Sequence, residues 1–248
     1  MIKGFNMALV MCAALASSSG LAEEQPNPEQ RRIDQMLQKQ THPLTEQQKN
    51  IALIAATAAV GNMSGLNAAL GRGLDAGLSV SDCREVLVQL YAYAGFPRSL
   101  NALGELMRVV EARQQQGKQD EPGQDPGALP PPEEMLAAGT RNQTALVGKP
   151  VQGALFEFAP AIDQYLKSHL FGDIFARDNL SWKNRELATV GALASLSGVE
   201  SQLNSHLNVS MNVGLSAGQL AELVPFFNAQ GEQGTAQRLK SALDSLNQ

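Results

Sequence analysis

Cysteine is scarce in this chain. The 248 residues hold two, Cys12 and Cys83, and no C-x-x-C pair. A dithiol redox centre of that kind is therefore excluded, and two cysteines offer at most one disulfide. Basic charge is also in short supply. Nineteen Lys and Arg face 24 Asp and Glu, a formal net charge of -5, with the two signs interleaved. No basic patch results, which argues against nucleic acid as a partner. No apolar run reaches the roughly 20 residues that cross a bilayer. Alternating strand-like patterning is missing throughout, so the chain reads as all-helical.

The amino terminus has a different character from the rest. Lys3 precedes the short apolar stretch Met7–Ala16, and Ser17–Ala22 is built of small residues ending in Gly20-Leu21-Ala22. This is the pattern of a secretory signal, cleaved before Glu23. Met11 before Cys12 is larger than the residue a lipid-attachment signal usually carries, which argues against lipidation. Cleavage would remove Lys3, leaving 18 basic against 24 acidic residues, a net charge of -6. It would also leave Cys83 as the sole thiol, unable to form an intramolecular disulfide. The expected location is the periplasm or outside the cell, with no membrane attachment after cleavage.

Five segments follow from composition: a signal at 1–22, a polar tether at 23–43, a helical unit at 44–113, a linker at 114–150 and a second helical unit at 151–248. Thr45 is a candidate helix N-cap and Gly61 a helix end. Leu66, Ala69, Leu70, Gly73 and Leu74 mark one face of a second helix. Ser79 or Ser81 caps a third, and Glu85 suits its first turn. Ala94-Gly95-Phe96-Pro97 is a strong stop. The linker, rich in Pro, Gly, Gln and Asp, is expected to wrap the surface or stay mobile. Helical patterning resumes at Ala159, with Ser181 as a later cap and Gly198 as a break.

The two helical units share a register. Asp75-Ala76-Gly77-Leu78-Ser79 answers Asn212-Val213-Gly214-Leu215-Ser216, and Gly61 answers Gly198 at the same spacing. Glu85 answers Glu222. Two copies of one helical unit, packed as a pseudo-dimer, would explain this.

Polar side chains on apolar helix faces carry the most information, because burial there is costly unless the group is paired. Glu186 shares a face with Val190 and Leu193. His206 lies beside Leu203 and Ser210 on the following helix. Two adjacent antiparallel helices would bring Glu186 and His206 together as a proton-transfer pair, or as a buried pair that orients the helices. His42 and His169 lack such context and read as structural or exposed. Glu200, at a helix start, reads as a solvated carboxylate.

The blocks Leu170–Arg177, Leu180–Leu187 and Gly198–Leu203 with His206, then Gly214-Leu215-Ser216, resemble the carboxymuconolactone decarboxylase family over about residues 155–225. Residues 44–113 look like a more divergent copy and keep the Ala92-Tyr93-Ala94-Gly95-Phe96-Pro97 segment common in that family. The resemblance implies two AhpD-like helical bundles and a homo-oligomer, a trimer of tandem units. It implies a small-molecule substrate and no cofactor or metal. One branch of the family decarboxylates a lactone acid; the other is a thiol antioxidant using C-x-x-C with a Glu and a His. The window before His206 is Val199-Glu200-Ser201-Gln202, without sulfur, so the thiol route is closed. For the decarboxylase route the expected catalytic residues are His206 and Glu186, with Arg177 or Arg185 holding a substrate carboxylate. In the first unit Lys49 or Asn50 stands at the Glu186 position and Ala69 at that of His206. Two alternatives remain: an AhpD-like antioxidant family member that lacks the C-x-x-C pair, and a non-catalytic oligomeric small-molecule binding protein.

Overall fold

The computed structural model describes residues 42–246, and every regular element among them is helical. The signal, nearly all of the tether and the lipidation question lie outside the described residues. The described residues form one compact unit.

The first unit comprises α1 (Glu46–Val60), α2 (Met63–Asp75), α3 (Val80–Gln89), the single turn α4 (Tyr91–Ala94) and α5 (Phe96–Gln115). Thr45 caps α1 in a capping box with Gln48, and left-handed Gly61 ends it. Ser79, not Ser81, caps α3. After a 3-10 turn at Pro132–Glu134 the second unit contains α6 (Met135–Val147), α7 (Ala154–Phe158) and α8 (Pro160–Tyr165). A π-helical segment, Leu166–Ile174, follows. Then come α9 (Trp182–Ser195), α10 (Glu200–Asn212), α11 (Ala217–Ala229) and α12 (Gln233–Leu246). Three helices of the first unit begin 137 residues before a helix of the second, at 63 and 200, 80 and 217, and 96 and 233.

α1 and α9 lie back to back at the centre. Ten successive residues of α1, Asn50–Ala59, are buried, as are Arg185–Ser195 of α9. A helix enclosed on all sides needs small or apolar residues around its whole circumference, and these two are rich in Ala. The axes approach so closely that a Cβ on Gly191 would stand 2.1 Å from the Ala52 carbonyl oxygen. The main apolar core runs through both units around this pair. A smaller cluster of Leu146, Leu170, Phe171, Ile174, Phe175 and Val209 sits beside it, with Tyr91, Tyr93 and Trp182 packed on its edge.

The stretch expected as linker divides in two. Residues 118–131 have no regular structure and strap the surface. The carbonyls of Glu121 and Pro122 accept from the first free amides of α3, Val80 and Ser81, and Arg84 pairs with Asp125 at 2.7 Å. The rest corrects the expectation: Met135–Val147 is helical. Its buried residues Met135, Ala138, Gly139, Gln143 and Leu146 form a stripe against Leu166–Ile174. Gly139 lets the two segments touch, since a Cβ there would meet the Lys167 carbonyl oxygen at 1.6 Å. The stripe has too few large apolar residues to stand out next to the Pro-rich run before it.

Candidate functional site

Ser181 starts α9 by accepting a hydrogen bond from the Asn184 amide. The first turn after it turns Arg185 and Glu186 into the interior, both fully buried. α10 returns alongside after residues 196–199 and presents His206, whose Nδ1 lies 2.8 Å from Glu186 Oε2. An ionised carboxylate only accepts, so Nδ1 is the donor and Nε2 is the nitrogen left for chemistry. The His206 side chain is 14% exposed and Glu186 is wholly enclosed. A solvent-touching imidazole backed by a buried carboxylate is an arrangement suited to passing protons.

Arg177 and Arg185, the expected substrate-carboxylate residues, are both engaged by an internal partner, and Arg185 is fully buried. Both bind Glu85 of α3. Arg177 grips it bidentately, Nε to Oε2 at 2.8 Å and Nη2 to Oε1 at 2.7 Å. Arg185 donates from Nη2 to Oε2 at 3.0 Å and to the Arg177 carbonyl at 2.9 Å. Burial raises the Glu85 pKa, but the hydrogen bonds from Arg177 and Arg185 outweigh it and hold the carboxyl at about 2. Glu85 supplies one negative charge to two guanidinium groups; Arg185 has no exposed surface at all, whereas Arg177 remains partly exposed.

Glu85 is one of three polar residues that the sequence reading did not connect. Glu85, Gln89 and Tyr93 recur every fourth position along α3–α4, which places them on one side of the rod. Opposite stand Arg185 and Thr189, also four apart. Gln89 Nε2 donates to the Arg185 carbonyl and to Thr189 Oγ1, each at 2.8 Å. The Tyr93 ring meets His206 edge-on, centroids 5.7 Å apart at 83°. Its hydroxyl is buried and makes no hydrogen bond of normal geometry. Burial and the nearby Glu186 carboxylate push the phenol well above its usual pKa. The spacing of 85, 89 and 93 was the available signal, and α3 gave it little emphasis because Glu85 also suits a helix start.

The other candidates sort simply. Cys83 is buried, and burial pushes its thiol up to about 12, which leaves no thiolate for attack. His169 is exposed and pairs with Asp173 at 2.5 Å. His42 is exposed, its carbonyl accepting from Gln219. Glu200 accepts from the Gly198 amide at an exposed helix start. No group of three or more His, Cys, Asp or Glu among the described residues is arranged to hold a metal. A cleft of about 540 Å³ beside the ion pair is lined by Arg141, Asn142, Arg177 and Trp182, among others, and by neither Glu186 nor His206.

With this geometry in hand, residues 160–225 match the model of the carboxymuconolactone decarboxylase family. The matched segment contains both Glu186 and His206, and the all-helical architecture agrees with it. A search among curated proteins found no match.

Proposed function

We propose that the protein is a cofactor-independent decarboxylase or proton-transfer enzyme acting on a lactone or keto-acid, with His206 and Glu186 as its catalytic residues. The observation that carries this reading is the 2.8 Å contact between a buried carboxylate and a partly exposed imidazole inside the family-matching segment. In the reaction, the bond between the ring carbon and the substrate carboxylate breaks and carbon dioxide leaves. The electron pair passes into the conjugated carbonyl as an enolate. The His206 imidazolium then delivers a proton from Nε2 to carbon and regains one from solvent. Glu186 holds Nδ1–H throughout and balances the imidazolium charge, which fixes the ring orientation.

The matching helix starts and the paired glycines support two copies of one unit in tandem, the first having lost the Glu and the His. Its role is then scaffold and wall. The sequence before Glu23 supports export to the periplasm or beyond.

The test is turnover of a panel of lactone acids and β-keto acids, followed by carbon dioxide release. His206→Ala is expected to lower kcat by about a hundredfold, within the range that general acid–base groups supply. Turnover by the variant equal to that of the parent would remove the mechanism. A second reading, a binding protein that has kept the fold without catalysis, is favoured by one observation: the described clefts do not reach the pair. Saturable binding of a lactone acid with no release of carbon dioxide would decide for it.

A further inference from the structure

Glu186 uses one carboxylate oxygen on His206 and leaves the other, Oε1, buried without a partner. A desolvated carboxylate oxygen with no donor is costly, and such an atom in a folded protein calls for a specific explanation. The Tyr93 hydroxyl is a second orphan in the same surroundings. It is buried, lacks a normal hydrogen bond, and is near enough to the Glu186 charge to feel it. The ring that carries it packs against the imidazole of His206. Its other polar neighbours are Arg185, a donor only, and Thr189, whose hydroxyl is already engaged, donating to the Arg185 carbonyl at 3.0 Å and accepting from Gln89. A buried donor without an acceptor thus stands beside a buried acceptor without a donor.

Resting on the Glu186–His206 site described above, we propose that Tyr93 is the positioning residue of that site: its hydroxyl donates to Glu186 Oε1, directly or through one enclosed water. The carboxylate is then held from both sides, by His206 on Oε2 and by Tyr93 on Oε1. Rotation of the carboxylate about its terminal bond is blocked, and the imidazole is fixed with Nε2 outward. The consequence reaches beyond one residue. Tyr93 belongs to the first helical unit and Glu186 and His206 to the second, so the site is complete only when the two units pack together. The first unit, which lacks its own Glu and His, contributes this hydroxyl in their place.

Proton NMR of the full chain tests the arrangement without requiring a known substrate. Two downfield, slowly exchanging signals are expected, one from His206 Nδ1–H and one from the Tyr93 hydroxyl. His206→Gln identifies the first, since His42 and His169 are exposed. Tyr93→Phe should remove the second and shift the first, with the circular dichroism of the parent retained. Glu186→Gln should move both. A hydroxyl signal that is unmoved in Glu186→Gln but lost in Thr189→Val would place Tyr93 on Thr189 and overturn the proposal. So would an unshifted His206 signal in Tyr93→Phe. Should Tyr93→Phe fail to fold, the Glu186→Gln comparison decides alone. If these signals behave as expected while no lactone acid is turned over, the proton-relay geometry stands and the decarboxylase reading falls.

Discussion

Glu85 shows how one side chain can bind two segments together. Its carboxylate, 1% exposed, lies between the guanidinium groups of Arg177 and Arg185, which are 92 and 100 residues away in sequence. Its pKa is about 2, against 4.5 for a free glutamate. A carboxyl depressed in the folded state adds stability above its unfolded pKa and loses it as pH falls toward the folded one. Stability should therefore drop between about pH 4.5 and 2, by an amount on the order of 3 kcal/mol at most. Glu85→Gln leaves buried Arg185 and half-buried Arg177 without their anion and should cost about 3 kcal/mol at neutral pH. Urea unfolding across a pH series measures both effects, and an acid limb as steep in the variant as in the parent would contradict the assignment. The same residue explains why the site was only partly legible. Glu186 and His206 could be read because each interrupts an apolar face at a regular interval. Arg177 and Arg185 could not be assigned from charge alone, because their partner lies 92 and 100 residues earlier in the chain.

Among the helices, the crossing of α1 and α9 is the most demanding contact. Gly191→Ala would drive a Cβ into the Ala52 backbone, which cannot rotate aside as a side chain could. The expected cost is about 3 kcal/mol or more, the upper range for overpacked interiors. Gly104→Ala in α5 is the control. Nothing lies within 4 Å of a Cβ there, so the substitution should stabilise by about 0.4–1 kcal/mol. Thermal unfolding of the two variants should move in opposite directions, and equal shifts would contradict the crossing geometry. Capping chemistry made four helix starts readable: Thr45, Ser79, Ser181 and Ser216 each accept a hydrogen bond from the amide three residues on. Helix α6 was missed for the opposite reason. It has no side-chain cap, and its order comes from the Gly139 contact with Lys167 rather than from its own sequence.

For the molecule as a whole, the outer surface of α5 is conspicuous. Phe96, Leu100 and Met107 are each more than half exposed and, with partly buried Leu103, follow the four-three-four spacing of a helix-pairing seam. Leu155, Phe158, Ile162 and Tyr165 form a second exposed apolar row on α7 and α8. Apolar rows of this length are expected to be covered, and we propose further copies of the chain as the cover. Light scattering should give a multiple of the chain mass, and Leu100→Glu with Met107→Glu should reduce it to the monomer. A monomeric parent at micromolar concentration would remove the expectation.

From the sequence alone came the helical class, the helix caps, the repeated register and the Glu186–His206 pair. All of these rest on spacings within a turn or two, or on identical residues at a constant interval. The tertiary structure decided which cations are spent on Glu85, that α6 exists, and that the Tyr93 ring packs on His206 of the Glu186–His206 pair. Those are contacts between residues roughly 30 to 110 positions apart, and their energy depends on which groups are left unpartnered once water has been excluded.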